Sequence, residues 1–445
     1  MLDPAPSLKR ELRLADLVFL NIAAVASVRW LAAAAHAGPG SITLWILAIG
    51  AFFVPSGLVV VSLARRFPEE GGLYIWSRNA FGPWHGFLCA WFYFLANVLF
   101  IPGLALAAVS MSAYIWNYAP EQLAQNRTYT LAWTLILMWS GYLAHFFGLR
   151  IGKWAGNIGG ASTYLCTVVL VGVSAWIAWQ HGSVTHFDLI PAANFASLNT
   201  WSQIAFALVG LEMGPILGGE IVNPRRNIPR AAWISAVGCA LFYIAGTSSI
   251  LVMVKPAEVS TSTGLVQAAH AAGLRMGIPA FSPLFAMLIV VGLSGSLATW
   301  IAGNTRLPFV IGLDRHLPAA FGRLHPRWAT PHVSILSQAV FATVLLAATQ
   351  AGETIAAAYQ ILLDMTIFTT FVPFLYIFAA GWKYGQRVAA GFGMAISLAA
   401  LALSLIPPPE VASWQVFEAK VLGGVLLLGG FGWVIFARHR EAASA

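Results

Sequence analysis

Charged residues are scarce in this chain of 445 residues. Asp, Glu, Lys and Arg make up only 9% of it, whereas hydrophobic residues make up 59%. Soluble domains carry about 25% charged residues, so most of this surface cannot face water. The deficit excludes an ordinary soluble enzyme or binding module and favours a protein that lies in a lipid bilayer.

Cysteines and catalytic motifs are also sparse. Cys89, Cys166 and Cys239 all fall in apolar runs without metal-ligand spacing, which argues against a disulfide framework and a zinc site. The sequence contains no His-Glu-x-x-His, Gly-x-Ser-x-Gly or phosphate-loop motif. We therefore expect no enzyme activity, no metal and no cofactor.

Long hydrophilic stretches are missing as well. The longest polar connections lie near 181–200 and 255–280, and neither is long enough for a soluble domain. We expect one membrane domain over 1–445. The charged segment 1–13 precedes no short apolar region with a cleavage pattern, so we expect no cleaved signal peptide.

Long apolar runs fill the rest of the chain. A membrane-spanning helix needs about 20 apolar residues, because the hydrocarbon core is about 30 Å thick and a helix rises about 1.5 Å per residue. Such runs predict an all-α polytopic membrane protein with about twelve transmembrane helices. We place these at 16–36, 43–64, 84–116, 128–147, 151–180, 201–220, 231–254, 282–310, 332–349, 356–381, 388–406 and 413–437.

The distribution of Lys and Arg predicts the orientation. Nineteen of the 24 basic residues lie at the two termini and in the even-numbered connections, and Arg29 lies inside a span. Cytoplasmic loops carry the excess of Lys and Arg, so we expect both termini in the cytoplasm and the chain in the cytoplasmic, or inner, membrane. Topology thus accounts for the net charge of +8, and we expect no nucleic-acid partner.

Three polar segments carry a family resemblance. The first is Pro68–Trp76, which reads PEEGGLYIW and is followed by Ala80, Phe81 and Gly82; the second is Gly210–Glu212 with Glu220–Arg230; the third is Arg306 with Asp314, Leu317 and Pro318. Together they resemble the amino acid/polyamine/organocation superfamily of permeases. The matches run from about residue 10 to residue 330, and the last four helices match only in hydropathy.

The resemblance implies a LeuT-like fold, a five-plus-five inverted repeat. Repeat one would cover about 14–180, repeat two about 200–381, and two additional helices about 388–437. The first helix of each repeat is then broken near the bilayer midplane, where unpaired backbone is tolerated only if it lines a cavity or is covered by protein. The half-helix ends attract the carboxylate and the ammonium group of an amino acid.

The first break departs from the family pattern. Where these permeases usually carry Gly-x-Gly, this chain reads Ser27, Val28, Arg29, Trp30, Leu31. An arginine at mid-membrane costs from about 2.5 to more than 10 kcal/mol, so Arg29 should face a cavity or a counter-charge. Its planar guanidinium can bind a substrate carboxylate or form a structural ion pair with Glu212 or Asp364, and the two roles do not exclude each other.

The resemblance implies roles around the second break too. Glu212 matches a glutamate that would pair with a substrate amine or take up a proton, and Phe206 matches an aromatic gate, although a Phe here is also a natural packing residue. The implied substrate-binding set at the two breaks is Ala26, Ser27, Val28, Arg29, Trp30, Phe206, Val209, Gly210 and Glu212.

Two more helices offer polar candidates. Tyr93 and Asn97 lie four residues apart on one face of the third helix and serve either the cavity or interhelical hydrogen bonds. Asp364 is a further buried charge in the tenth helix, for which we favour a gate or an ion pair over substrate contact.

Hydroxyl side chains on the eighth helix bear on the identity of the coupling ion. Ser294, Ser296 and Thr299 in the eighth helix could supply oxygens to a sodium site with the first-helix carbonyls, although such side chains usually bond to helix backbone. Some proton-coupled relatives instead use a lysine on the fifth helix. This chain reads Ala161, Ser162, Thr163 there, so we do not expect that lysine mechanism. We expect H+ or a counter-substrate.

These features predict a secondary amino acid transporter that works by alternating access, as a proton-coupled symporter or an exchanger. Arg29 favours substrates that bear a carboxylate. The alternative is a polyamine or cationic-amine transporter, with Glu212 and Asp364 as the negative site. A more remote alternative is a sensor that no longer transports, for which a long soluble extension would be expected.

Overall fold

The predicted spans are helices in the structure. The structure, a computed structural model, describes residues 10–116, 120–191, 195–261, 263–349, 355–405 and 414–444. Residues 1–9 of the predicted cytoplasmic N-terminus, and positions 406 and 413 at the ends of the last two predicted spans, lie outside these ranges. Among the described residues there is no strand, only an isolated bridge between Leu12 and Ile221.

The first half of the chain contains five predicted spans, formed by longer helices and joined by short ones. A π-helix at Ile49–Phe53 links two of these helices without interrupting the span. In order, the helices are α1 (Leu14–Val25), α2 (Val28–His36), α3 (Gly40–Ala48), α4 (Val54–Arg66), α5 (Leu73–Phe81), α6 (Pro83–Ser112), α7 (Pro120–Gln125), α8 (Arg127–Phe146) and α9 (Leu149–His181).

The second half contains the other seven predicted spans. The helices of this half are α10 (Phe195–Ala207), α11 (Met213–Ile216), α12 (Pro224–Met253), α13 (Gly264–Met276), α14 (Phe281–Leu313), α15 (His332–Thr349), α16 (Ile355–Lys383), α17 (Arg387–Leu403) and α18 (Trp414–Ser444). Helix α13 falls in the predicted polar connection 255–280 and is not one of the spans. The all-helical polytopic architecture is therefore confirmed.

Length and apolar composition support the membrane assignment. Seven helical segments of the described chain are long and apolar enough to cross a bilayer, and three shorter apolar helices occur at His332–Ala347, Arg387–Leu403 and Leu422–Arg438. The long helix α14 is held close to α9, since a methyl group on Gly159 would lie 2.3 Å from the Cα of Gly295. Small residues of this kind let membrane helices approach at the backbone.

Arginines gather at one end of the bundle, which we call the basic end and define by Arg65, Arg66, Arg225, Arg226 and Arg387. Contacts between helix termini place these connections together. The Lys383 ammonium donates to the Ala80 carbonyl, and the Gln386 amide lies 3.4 Å from the Ser62 hydroxyl. The basic end therefore includes the termini of α4, α5, α16 and α17.

Candidate functional site

The first helix of each predicted repeat is interrupted. Helix α1 ends at Val25 and α2 begins at Val28, and between them Ala26 and Ser27 are extended, with φ of −76° and −113°. Any L-residue adopts such angles, so this break needs no glycine. The missing Gly-x-Gly does not prevent the interruption.

The second interruption follows α10 and requires Gly210. The chain is non-helical from Leu208 to Glu212 before the short helix α11. Gly210 has φ of +136°, and a methyl group there would lie 2.9 Å from a methyl carbon of Val25. The two interruptions therefore lie against each other.

Tyr243 on α12 joins the two interruptions. Its hydroxyl lies 2.5 Å from the carbonyl oxygen of Val25 and 2.9 Å from that of Ala207, and it accepts a hydrogen bond from the amide of Ser27 at 3.3 Å. Trp45 stacks on its ring, with centroids 4.1 Å apart. The oxygen and the single proton of one buried hydroxyl thus contact backbone groups of both interruptions.

Arg29 is enclosed by aromatic rings. Only 2% of its surface is exposed, and its guanidinium carbon lies 4.2 Å from the ring centre of Trp30 and 4.6 Å from that of Phe100. Phe206 packs edge-on to Trp30 at 5.5 Å and lies 6.0 Å from Phe100. Cation–π attraction is strong where water is excluded, so the rings stabilise the buried charge.

Glu212 is buried on the other interruption and is bound from two sides. Its Oε1 accepts a hydrogen bond from the Tyr93 hydroxyl at 2.7 Å, and its Oε2 accepts one from the Gly210 amide at 3.0 Å. Among the described residues it forms no ion pair with Arg29. Negative and positive side chains therefore stand on adjacent breaks with separate partners.

Several buried polar atoms near the interruptions make no hydrogen bond within the described residues. They are Asn21 Oδ1, Ser27 Oγ, Asn97 Oδ1 and Asn304 Oδ1. The Asn97 amide nitrogen donates to the Tyr93 carbonyl in its own helix at 2.9 Å. A buried polar atom without a partner carries a desolvation cost, so a bound polar molecule could gain from these oxygens.

The other predicted side chains are distributed around this centre. Ala26, Val28 and Val209 are buried at the breaks, and Asp364 is buried on α16, which packs along α6. Ser296 and Thr299 are buried on α14, and Thr299 lies against Gly156 of α9. Ser294 is different, since its hydroxyl donates to the Val290 carbonyl of its own helix at 2.7 Å.

Residues that the sequence reasoning missed include Tyr243, Phe100 and Trp300. The indole nitrogen of Trp300 donates to the Ala24 carbonyl at 3.2 Å, and its ring lies 5.1 Å from that of Phe100. An aromatic residue on an apolar helix gives no sequence signal that separates a site residue from a packing residue. A buried tyrosine hydroxyl usually has a hydrogen-bond partner, which is the one clue that the sequence offers to Tyr243.

Buried charged residues connect several elements at the basic end. The Arg306 guanidinium donates to both carboxylate oxygens of Glu220, at 2.8 and 3.4 Å, and the pair is almost fully buried. Glu70 of the Pro68–Trp76 segment accepts a hydrogen bond from the Gly219 amide at 2.7 Å. The resemblance segments thus meet in space, where they join the connection after α4 to the end of the broken sixth span and to α14.

Two further contacts hold neighbouring parts of this end. Tyr74 and Arg78 of α5 both donate to the carboxylate of Asp314 at the end of α14. Lys153 lies near the start of α9, where its ammonium is 3.3 Å from the Asp16 carboxylate on α1.

Comparisons with known proteins agree with this architecture. A family model described as amino acid permease matches residues 12–427. An uncharacterised transporter of Legionella pneumophila is 29% identical over 97% of this chain and 98% of its own length. A probable agmatine/putrescine antiporter of Lactococcus lactis is 27% identical over 63% of this chain and 59% of its own length.

A solved structure supports the fold. The crystal structure of MhsT in complex with L-phenylalanine superposes with a TM-score of 0.60 at 14% sequence identity, and the match covers 95% of this chain and 98% of that one. At this identity the likeness concerns the fold. It agrees with a LeuT-like arrangement in which the first and sixth spans are broken.

Proposed function

Because the chain belongs to the amino acid permease family, whose members are membrane transporters, we propose that it is a secondary active transporter of amino acids that works by alternating access. The observation that carries this proposal is the juxtaposition of two interrupted helices, one with Arg29 and the other with Glu212, in a buried site. Opposite charges on adjacent breaks suit a ligand that itself carries both charges.

Arg29 supplies the part of the site that attracts a carboxylate. It lies in the first turn of α2, where the amide groups at a helix N-terminus already favour negative charge. Its guanidinium carbon lies 4.2 Å from the ring centre of Trp30 and 4.6 Å from that of Phe100, and a planar guanidinium can bind a carboxylate through two hydrogen bonds. We therefore propose that the substrates bear a carboxylate.

Glu212 supplies the opposite charge and the coupling. Its carboxylate can pair with a substrate ammonium or take up a proton, and the Tyr93 hydroxyl holds it in place. Uptake of a proton by Glu212 would change the charge of the site during the cycle. We propose coupling to H+ or to a counter-substrate on this basis, with Asp364 and Phe206 in gating roles.

A second candidate function is the transport of polyamines or other cationic amines. One relative is named a probable agmatine/putrescine antiporter, and Glu212 and Asp364 offer two buried carboxylates. Arg29 opposes this candidate, since a second buried cation beside it would be repelled.

The proposed setting is the cytoplasmic membrane with both termini in the cytoplasm. The basic end then faces the cytoplasm, as expected from the excess of Lys and Arg in cytoplasmic loops. The buried contacts at that end, Arg306 with Glu220 above all, act as a closed inner gate in this proposal.

The test is uptake into vesicles reconstituted with the purified protein. A panel of radiolabelled amino acids and amines is offered with and without a pH or sodium gradient. For the substrate found, Arg29→Ala should reduce uptake at least about 30-fold, since losing one partner of a desolvated charged contact costs about 2–5 kcal/mol.

A second variant tests the coupling. Glu212→Gln keeps a hydrogen-bond acceptor for Tyr93 but cannot take up a proton, so uptake should lose its dependence on the pH gradient. Tyr93→Phe is the control, because it keeps the carboxylate and should keep that dependence. Uptake of amines alone, or unchanged uptake in both the Arg29 and Glu212 variants, would contradict the proposal.

A further inference from the structure

A groove at the basic end lies outside the central site. It has a volume of about 480 Å³ and is bounded by α4, α12 and the turn between α16 and α17. The residues that line it are Leu58, Val61, Ser62, Arg65, Arg66, Trp233, Tyr384 and Gln386. None of these residues is acidic, so the two arginines give the groove a positive charge.

One wall of the groove, the basic wall, carries the two arginines with Ser62, Tyr384 and Gln386. The Arg66 guanidinium carbon lies 4.5 Å from the ring centre of Tyr384, which fixes the orientation of one positive group. Ser62 and Gln386 lie 3.4 Å apart beside it and add a hydroxyl and an amide. Two guanidinium groups with neighbouring polar donors match the oxygens of a phosphate ester.

The other wall of the groove is apolar and continues along the outer surface of the bundle. Leu58 is 41% exposed and Trp233 is 38% exposed, although both belong to membrane-spanning helices. Farther along the same helices, Val54 and Val237 are also exposed, at 38% and 63%. Exposed apolar side chains at this depth are the surface that lipid chains cover.

The combination distinguishes a lipid from a free anion. A soluble phosphate would contact only the basic wall. A phospholipid would place its phosphate there and its acyl chains along Leu58, Trp233 and Val237. Basic pockets between helix ends at the membrane surface are known to suit anionic lipid headgroups, and a tryptophan at the same level is typical of the interface. We propose that this groove binds one anionic phospholipid of the adjacent leaflet.

Native mass spectrometry of the full-length protein in detergent tests the proposal. Phosphatidylglycerol or phosphatidylcholine is titrated in, and bound lipid is counted. Phosphatidylglycerol should bind the wild type more tightly. The double variant Arg65→Gln, Arg66→Gln should weaken that binding about 30-fold, since each basic residue near an anionic lipid contributes about a factor of five.

A matched control separates the groove from general charge attraction. Arg225→Gln with Arg226→Gln removes the same charge from exposed positions at the same end of the bundle but outside the groove, and should change binding less than about threefold. Gln386→Glu keeps both arginines and adds a carboxylate to the groove, so it should also weaken phosphatidylglycerol binding.

Three results would overturn the proposal. The first is an equal loss of lipid in the Arg225, Arg226 control, which would indicate attraction to net charge alone. The second is equal affinity for phosphatidylcholine and phosphatidylglycerol. The third is full displacement of the lipid by inorganic phosphate at millimolar concentration, which would identify a site for a free anion.

Discussion

At the scale of single residues, the site depends on side chains that complete what the broken helices lack. Tyr243 is the clearest case, since its hydroxyl reaches backbone groups of both interruptions. Backbone carbonyls without partners are costly inside a membrane. A residue from a third helix therefore lowers the free-energy cost of the irregular backbone.

This role of Tyr243 predicts the effect of removing one oxygen atom. Tyr243→Phe removes the single donor that the carbonyls of Val25 and Ala207 share and the acceptor of the Ser27 amide, and should lower the free energy of unfolding by about 1–3 kcal/mol. Thermal unfolding in detergent measures the change. Tyr142→Phe is the matched control, because the Tyr142 hydroxyl is buried without a hydrogen-bond partner in the described residues, so its loss should be neutral or stabilising.

The sequence identifies residues of one kind and misses those of another. Arg29, Glu212 and Asp364 stand out because a charge in an apolar span needs an explanation. Tyr243 and Trp300 do not stand out, since tyrosine and tryptophan are common in membrane helices for packing and for anchoring. Their importance arises from where α12 and α14 pass the breaks, which is a property of the three-dimensional packing.

At the scale of elements, the two interruptions are maintained by different means. The first uses ordinary extended residues, Ala26 and Ser27, whereas the second uses the left-handed conformation of Gly210. The sequence predicts both breaks through family resemblance, but it does not predict this asymmetry. The altered segment from Ser27 to Leu31 leaves the first break intact, because its geometry suits residues with side chains.

Gly210 should therefore tolerate no side chain. Gly210→Ala forces an alanine into a positive φ and places its methyl 2.9 Å from Val25. We therefore expect the free energy of unfolding to fall by about 1–3 kcal/mol and uptake to decrease. Gly172→Ala is the control: it lies within α9 with no atom near its new methyl, and should be neutral or stabilising by up to about 1 kcal/mol. Equal thermal stability of the two variants would contradict this reading of the second break.

Glu70, in the connection after α4, should make the stability of the folded protein depend on pH. Burial raises the pKa of the Glu70 carboxyl well above its usual range, the nearby Glu220 raises it further, and Arg306 opposes the shift. The folded state thus keeps a proton that the unfolded chain releases near pH 4.5. The stability that this group contributes is full below that pH and is lost as the pH rises towards the raised pKa.

Replacing Glu70 by glutamine removes this titration. Relative to the wild type, Glu70→Gln should gain stability as the pH rises, by at most about 1.4 kcal/mol per pH unit. Thermal unfolding at a series of pH values measures the difference. Glu69→Gln, at the exposed neighbouring position, is the control; a similar gain in both variants would rule out burial as the cause.

At the scale of the whole molecule, hydropathy and charge predict most of the architecture. The positions of the spans follow from apolar runs, and the basic end follows from the Lys and Arg positions. What the sequence does not predict is the buried cluster of Arg306, Glu220 and Glu70, since these residues lie far apart in the chain. The packing of the helices brings them together.

The proposed orientation can be tested through introduced cysteines. The native Cys89, Cys166 and Cys239 are at most 1% exposed, so they should give little background. On intact cells a membrane-impermeant maleimide should label Gln122→Cys, in α7 at the far end of α6, and should label Arg226→Cys only after permeabilisation. The opposite pattern would place the basic end outside the cell.

The bridge between Leu12 and Ile221 has a practical consequence for following the molecule at work. The amides of Glu11 and Leu12 donate to the Glu220 carbonyl, and the Val222 amide donates to the Leu12 carbonyl at 2.9 Å. Separating the start of α1 from the end of the sixth span must break these bonds. Hydrogen–deuterium exchange at the amides of Leu12 and Val222 would therefore report how readily this contact opens. An affinity tag fused directly before Arg10 would disturb the same contact.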